Sequence, residues 1–177
     1  GDIWAVSVRF KPGKVLDLFS GSGIVSYMYK AQGCQVLAND YMAVSSIVAK
    51  AMVQNSSVRL SHEVVESLLQ PNPDADTFVS DTFAGLYYTA DENRLIDSIR
   101  ANIKNLGDET QQALAVSSLT RACIKKRPRG IFTYVGHRYD DGRRDLKLSL
   151  ADHFREAAAL VNGAVFDNGK DNLARQG

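Results

Sequence analysis

The chain has 177 residues, of which 45% are hydrophobic and 23% are charged, and its formal net charge is +1. This composition is that of an ordinary globular protein and excludes collagen-like, coiled-coil and wholly disordered chains. No apolar run approaches the roughly 20 residues of a membrane-spanning helix. The first residues show neither the basic nor the apolar region of a signal peptide, so we expect no secretory leader, and without an initiator Met we expect a trimmed chain. Cys34 and Cys123 lie far apart, so we expect reduced thiols in a cytoplasmic protein.

The first 60 residues predict alternating strands and helices. The predicted elements are a strand at 14–19, a glycine-rich turn at 20–23, a helix at 24–32, a strand at 35–38 that leads into Asn39-Asp40, and a helix at 44–54. Both strands are short and mostly apolar, and apolar side chains recur at helical spacing in both helices. This order of elements predicts a doubly wound parallel α/β sheet.

The middle of the chain predicts mainly helices. The predicted elements are helices at 61–69, 90–106, 109–124 and 150–162, a short extended piece at 83–88, an irregular segment at 128–149, and a third strand at 164–166. Thr89 as N-cap and Glu92 three residues later form the signature of a capping box. With only two or three strands in the whole chain, this helical middle is interpreted as an insertion into the sheet domain.

The charge is distributed unevenly along the chain. The net charge is −7 over residues 61–110 and +6 over residues 121–147. A window this basic is either a solvated face or a surface that binds phosphates, because phosphate binding depends on local rather than total charge. Charge alone leaves both interpretations open.

The turn after the first predicted strand is the most informative motif. Residues 17–23 (Asp-Leu-Phe-Ser-Gly-Ser-Gly) place two glycines where the backbone turns into a helix, whose first N–H groups can meet a ligand. The dinucleotide fingerprint needs a third glycine at position 26, where this chain has Ser26. The carboxylate of Asp17 suits a cofactor with a cationic end, such as the amino group of S-adenosylmethionine.

A second acid follows the next predicted strand. Asp40 comes 17 residues after Gly23, a place where a carboxylate can accept hydrogen bonds from both hydroxyls of a ribose. Tyr41 beside it can lie against a purine face. A glycine turn alone also occurs in ordinary strand–helix connections, but an acid on each side of it favours a cofactor site.

Residues 15–27 followed by residues 38–41 resemble the cofactor-binding half of adenine-specific DNA methyltransferases. The likeness is to the class in which the cofactor motif comes first, the DNA-recognition segment second and the catalytic motif last. Further segments similar to the family, in the family's order, are 87–93, 96–100, 121–128 and 166–169. The resemblance implies a Rossmann-like methyltransferase fold, S-adenosylmethionine as cofactor, double-stranded DNA as substrate, and a restriction–modification or defence system. The cofactor-binding residues it implies are Asp17, Phe19, Ser20, Gly21, Gly23, Asp40 and Tyr41.

The resemblance divides the chain into three parts. Residues 1–60 are expected to be the cofactor-binding half of the sheet domain, residues 61–162 a mainly helical insertion with a basic DNA-recognition loop at 121–147, and residues 163–177 a return to the sheet. The family's catalytic Asp/Asn-Pro-Pro-Tyr/Phe motif is missing, because no two of the four prolines are adjacent. We therefore predict no catalytic residue and no metal ligand, and expect a fragment or a chain that needs a partner to complete its sheet.

In the intact enzyme, the resemblance implies that an adenine leaves the duplex, since a stacked base cannot reach the methyl group. The residues predicted to contact DNA are the basic residues on both sides of Pro128 and the arginines that follow them in the segment. They are Lys125, Lys126, Arg127, Arg129, Arg138, Arg143 and Arg144. Two alternatives stay open: a cofactor- and DNA-binding module or split subunit that needs a second chain for catalysis, and a methyltransferase acting on RNA or a small molecule.

Overall fold

The computed structural model describes residues 2–127, 142 and 144–177. The chain forms two compact units, which we call the sheet unit (residues 1–59 and 161–177) and the helical unit (residues 60–160). Within the described residues, no helix has the length and apolar character needed to cross a membrane.

The sheet unit contains a parallel sheet of three strands in the order β1-β2-β3. The strands are β1 (Lys14–Asp17), β2 (Gln35–Asp40) and β3 (Leu173–Gln176). Val15 lies opposite Val36, and Ala38 lies opposite Ala174, so the register is continuous across the sheet. The first two strands confirm the sequence prediction, and the architecture is mixed α/β with a small parallel sheet.

The third strand was expected at residues 164–166, and this prediction is wrong. That segment forms no strand, and its apolar side chains pack inside the sheet unit instead. Val165 is buried, the hydroxyl of Tyr27 donates to the carbonyl of Ala164 (2.8 Å), and the rings of Tyr27 and Phe166 meet edge to face. Strand β3 forms only after Asn172, whose Oδ1 accepts the amide hydrogen of Val36.

Three α-helices, together with a short 3-10 helix (Val8–Phe10), complete the described part of the sheet unit before residue 59. They are α1 (Asp2–Ser7), α2 (Ile24–Ala31) and α3 (Ala43–Ala49), and α3 runs on into a π-helical turn (Lys50–Gln54). A hydrophobic cluster of Cys34, Val36 and Val53 lies between this helical layer and one face of the sheet. Trp4, Val15, Tyr27 and Tyr29 pack against that cluster. One face of the sheet is therefore covered by helices.

Lys30 of α2 is buried in this layer. Its Nζ donates to the carbonyls of Asn55 (2.6 Å) and Met52 (3.3 Å), and it lies 4.6 Å from the centroid of the Phe166 ring. Burial lowers the pKa of Lys30 to about 8, and the nearby carboxylate of Asp167 partly opposes that shift. The lysine thus caps the carbonyls at the end of the π-helical turn.

The helical unit is built from six helices in its described part, the last of which continues past residue 160. They are α4 (His62–Leu68), α5 (Phe78–Thr82), α6 (Ala90–Lys104), α7 (Glu109–Lys126), α8 (Arg144–Lys147) and α9 (Leu150–Gly163). Ile99, Leu114 and Phe154 are fully buried in its core. The capping box of Thr89 and Glu92 at the start of α6 is present as predicted.

The helical unit differs from the sequence predictions at three places. Residues 83–88 form turns rather than an extended piece. Helix α5 was not expected; it forms because the carboxylate of Asp97 accepts the amide hydrogens of Val79 and Ser80 (both 2.9 Å), which stabilises the start of a short helix. Helix α8 lies within the segment predicted to be irregular, and residues 128–141 and 143 lie outside the described residues.

Candidate functional site

The glycine-rich turn connects β1 to α2 at the carboxyl ends of the strands. Gly21 and Gly23 have φ values of +52° and +74°, in the left-handed region that side chains with a Cβ disfavour. The amide of Ser20 donates to the carbonyl of Asn39 (2.9 Å), which ties the turn to the end of β2. The backbone geometry therefore explains why glycine stands at both positions.

Asp40 at the end of β2 is held by the backbone on both carboxylate oxygens. The amide of Gly21 donates to Oδ2 and the amide of Met42 donates to Oδ1, both at 2.8 Å. These N–H groups, Met42 first and Gly21 next, and the hydroxyl of Ser45 hold the pKa of Asp40 below its usual range. The structure thus brings an ionised carboxylate against the turn, from a position 19 residues later in the chain.

Asp17 at the end of β1 is half-buried and has one partner in α2. The hydroxyl of Ser26 donates to its Oδ2 at 2.7 Å, and Ser26 itself is fully buried. The residue that stands in place of the third glycine of a dinucleotide fingerprint therefore orients the first acid of the motif. This contact of Ser26 was not predicted from the sequence, although its position one helical turn after the glycines places it on the side of α2 that faces β1.

Three further predicted residues surround the turn with different exposure. Phe19 and Tyr41 are 84% and 82% exposed, so both rings are available to a ligand. Ser20 is buried, and its Oγ has no hydrogen-bond partner among the residues that the structure describes. A buried hydroxyl without a partner is costly, so the turn has an unused polar group where a ligand can bind.

An open groove of about 620 Å³ continues from Tyr41 across the ends of β2 and β3. It is lined by Tyr41, Met42, Ala43, Val44, Gln176 and Gly177. The side-chain amide of Gln176 donates to the carbonyl of Tyr41 (3.2 Å). Met42 and Gln176 were not predicted as site residues. No signal in the sequence identified Gln176, because the third strand was expected nearly ten residues earlier.

Two described lysines of the basic segment have acidic partners within the helical unit. Lys125 pairs with Asp145 (3.0 Å) and Lys126 with Glu92 (3.2 Å). Lys126 also donates to the carbonyl of Leu148 (2.7 Å) and is mostly buried, whereas about half of the Lys125 side chain stays exposed. Part of the basic charge is therefore neutralised inside the unit.

Arg127 and Arg144 differ in burial even more than these two lysines do. Arg127 is buried, donates to the carbonyl of Tyr87, and lies 5.3 Å from the centroid of the Tyr87 ring. This burial weighs against the predicted contact of Arg127 with DNA, which stays a prediction, because a buried guanidinium does not reach a phosphate. Arg144 pairs with Glu156 but is 71% exposed. Arg129, Arg138 and Arg143 lie outside the described residues.

The part of the chain with described side chains holds no group of three His, Cys, Asp or Glu that could bind a metal ion. Burial raises the pKa of Cys123 to about 11, so this thiol stays protonated at neutral pH.

Comparison with known proteins defines the class. Residues 6–167 match the family described as D12 class N6 adenine-specific DNA methyltransferase, and the chain belongs to this family. A type II methyltransferase, M2.HphI of Haemophilus parahaemolyticus, is 32% identical over an alignment 173 residues long, and the match covers 90% of this chain and 51% of the relative. The chain therefore spans about half the length of this curated relative. No solved structure matches the chain.

Proposed function

We propose that this chain is the cofactor-binding part of an S-adenosylmethionine-dependent enzyme that methylates adenine in DNA. Family membership and the likeness to a type II methyltransferase support this activity and a place in a restriction–modification or defence system. The small parallel sheet with its helical layer is the part of a Rossmann-like methyltransferase fold that we assign to the chain. The compartment we propose is the cytoplasm, where the DNA of a bacterium lies.

The contact between Asp40 and Gly21 is the observation that carries the proposal. It brings the acid after β2 to the turn after β1, so that one ligand can touch both. S-adenosylmethionine, when bound, supplies a methyl group on a positively charged sulfonium. The residues fit such a ligand, because two ionisable carboxylates, a partnerless buried hydroxyl on Ser20 and two exposed aromatic rings surround one turn.

Each predicted cofactor-binding residue then has a proposed part. Asp40 accepts hydrogen bonds from the ribose hydroxyls through the lone pairs that its backbone partners leave free. Asp17 faces the cationic end of the ligand with the oxygen that Ser26 does not occupy. Phe19 and Tyr41 offer apolar faces to the adenine ring, and the turn of Ser20, Gly21 and Gly23 lets the backbone approach closely.

Double-stranded DNA is the proposed substrate of the intact enzyme. The basic segment at 121–147 supplies the positive charge that phosphate binding requires, and Lys125 and Arg144 are two of the exposed cations in its described part. Lys126, Arg129, Arg138 and Arg143 stay predicted contacts. A target adenine must leave the stack before its amine can reach the methyl donor.

The catalytic Asp/Asn-Pro-Pro-Tyr/Phe motif is not present in these 177 residues. We propose that further polypeptide, in a longer protein or a second chain, supplies it. This absence also favours a second candidate function, a module that binds cofactor and DNA but has no methyl-transfer activity alone. Methylation assays of the chain with and without a polypeptide that carries the motif distinguish the two, since only the first candidate gains activity when the motif is added.

Titration of the chain with S-adenosylmethionine by isothermal calorimetry tests the cofactor site. We expect binding in the micromolar range, and Asp40→Asn should weaken it about 10- to 100-fold, because the amide removes a charged acceptor. Asp171→Asn is the matched control, since Asp171 is exposed in the same unit and far from the turn in sequence. Equal affinities for the two variants would remove Asp40 from the site, and no heat with the wild-type chain would contradict the cofactor assignment.

A further inference from the structure

Serine side chains in the helices of this chain bond to two kinds of acceptor. In α7, the hydroxyls of Ser117 and Ser118 donate to backbone carbonyls four residues earlier, which are the usual local acceptors of helical serines. Ser26 of α2 differs, because its hydroxyl donates to Oδ2 of Asp17 at 2.7 Å, at the end of the strand before the helix. The hydrogen bond of Ser26 therefore leaves its own helix and ends on the first acid of the turn.

The two acids at the turn differ in how firmly they are held. Among the described residues, Asp17 accepts one hydrogen bond, that of Ser26, whereas two backbone amides and the hydroxyl of Ser45 bind Asp40. The terminal torsion of an aspartate is broad, so a carboxylate without a partner can turn freely. A single hydroxyl thus sets the orientation of Asp17, while Asp40 is held several times over.

Helix α2 gives the hydroxyl of Ser26 a fixed position. Ser26 is fully buried and is the third residue of α2 (Ile24–Ala31). The amide of Tyr27 donates to the carbonyl of Gly23 at 2.8 Å, which closes the first turn of the helix around Ser26. Because helical backbone and packed surroundings hold the donor, the carboxylate that it binds is oriented before a ligand arrives.

We propose that Ser26 is a positioning residue of the cofactor site, which holds Asp17 ready for the ammonium group at the amino-acid end of S-adenosylmethionine. The hydroxyl of Ser26 occupies Oδ2 and leaves Oδ1 of Asp17 for a charge-assisted hydrogen bond with that group. A carboxylate that is already held loses less torsional freedom on binding, so it binds more tightly. The inference rests on the proposed function and adds to it a residue that acts through Asp17.

The chemistry of the ligand determines which affinities depend on Ser26. S-adenosylhomocysteine has the same ammonium group as S-adenosylmethionine but a neutral sulfur, whereas 5′-methylthioadenosine lacks the whole amino-acid end. If Ser26 acts through Asp17 on the ammonium group, its loss weakens the first two ligands and spares the third. If Ser26 only packs the interior of the sheet unit, its loss weakens all three ligands alike.

Calorimetric titration of the full chain with the three ligands tests this dependence. Ser26→Ala should weaken S-adenosylmethionine and S-adenosylhomocysteine equally, by about three- to tenfold, because one hydrogen bond to a carboxylate is lost. The affinity for 5′-methylthioadenosine should stay within about twofold, since its contacts do not involve Asp17. Ser118→Ala is the matched control, because Ser118 is an equally buried helical serine whose hydroxyl binds a backbone carbonyl, and it should change no affinity. Circular dichroism shows that each variant folds.

A double-mutant cycle tests whether Ser26 acts through Asp17, and it decides the matter where 5′-methylthioadenosine binds too weakly to measure. Asp17→Ala removes the carboxylate, so adding Ser26→Ala to it should cause no further loss of affinity for S-adenosylhomocysteine. Additive losses, equal losses for all three ligands, or a loss with S-adenosylmethionine alone would each overturn the inference. A wild-type chain that binds none of the ligands refutes the proposed function, whereas equal binding by the wild type and Ser26→Ala refutes this inference alone.

Discussion

The sheet unit and the helical unit use their charged residues in different ways. In the sheet unit, Asp17 and Asp40 are held by a hydroxyl and by backbone amides, form no ion pair with any cation in the described part of the chain, and both lie at the turn. In the helical unit, acids and bases neutralise each other, as Arg155 does with Glu66 (2.7 Å) and Arg100 with Asp97 (2.8 Å).

This difference shows what a charged residue can offer a ligand. A carboxylate that accepts hydrogen bonds from neutral N–H groups keeps its full negative charge and some of its lone pairs. A charge paired with an opposite charge loses most of its field at a distance, so a basic sequence need not give a basic surface. Local polar chemistry in the sheet unit is therefore a better guide to a binding site than charge density in the helical unit.

The strongest test of the comparison is to destabilise one unit and observe the other. Phe154 is fully buried in the helical unit, so Phe154→Ala should lower the free energy of unfolding by about 3–5 kcal/mol. If the two units are energetically separate, the affinity for S-adenosylmethionine stays within about twofold at temperatures where the variant is folded. Denaturation followed by circular dichroism, together with calorimetric titration, measures both quantities. The exposed Leu160→Ala is the control, and a parallel loss of cofactor binding would break the comparison.

Lys30 is the exception in the sheet unit, because it is a buried amine that can carry a charge. The pH dependence of the free energy of unfolding measures how strongly burial disfavours that charge. Its pKa of about 8 lies below the 10.5 of an ordinary lysine, so the unfolded chain binds the proton more tightly. Stability contributed through Lys30 therefore rises as the pH increases from the folded value toward the unfolded one. From about pH 7 to about pH 10, the free energy of unfolding should rise by about 2 kcal/mol more in the wild type than in Lys30→Met.

Chemical denaturation across this pH range gives the difference, and Lys170→Met controls for the loss of an exposed positive charge. Both carbonyls bound by Lys30 can still be satisfied by a neutral amine, which keeps two donors, so the fold persists at high pH. Parallel stability curves for the wild type and Lys30→Met would show that the buried amine is not desolvated.

The sequence was sufficient to predict β1, the turn and β2, because their signals are local. Gly21 and Gly23 are needed for the positive φ of the turn, and Asp40 ends an apolar strand. Strand β3 was missed because residues 173–176 (Leu-Ala-Arg-Gln) have no strand pattern; they pair with β2 directly after Asn172, whose Oδ1 accepts the amide hydrogen of Val36. A strand that depends on a contact 136 residues away in the chain has no local signature.

In the helical unit, too, the sequence predicts local side-chain contacts but not contacts between distant elements. The capping box of Thr89 and Glu92 spans four residues and was predictable, whereas the burial of Arg127 against Tyr87 depends on two elements meeting in the fold. Charge in the sequence indicated a basic segment but could not show which of its cations are used internally. The roles of the site residues in binding a ligand stay predictions.

Arg127 tests the comparison of the two units from the helical side, because its contacts predict a structural role. Arg127→Met should lower the free energy of unfolding by about 1–3 kcal/mol through the lost hydrogen bond to the carbonyl of Tyr87. The dependence of DNA affinity on salt concentration should keep its slope, because no phosphate contact is removed. Denaturation and fluorescence anisotropy with a mixed-sequence DNA duplex measure the two effects, and a smaller salt slope would return Arg127 to the DNA surface.

Arg144 should behave in the opposite way, with the smallest effect on stability. Its pair with Glu156 is exposed on both sides, so Arg144→Ala should change the free energy of unfolding by at most about 0.5 kcal/mol. If Arg144 meets a phosphate, the same substitution reduces the salt slope of DNA binding by about 1. Glu156→Gln is the matched variant, because it releases Arg144 from its partner without removing the cation, and DNA binding should become tighter. An unchanged slope in Arg144→Ala, with unchanged affinity in Glu156→Gln, would show that this arginine has only a structural role in the helical unit, as we expect for Arg127.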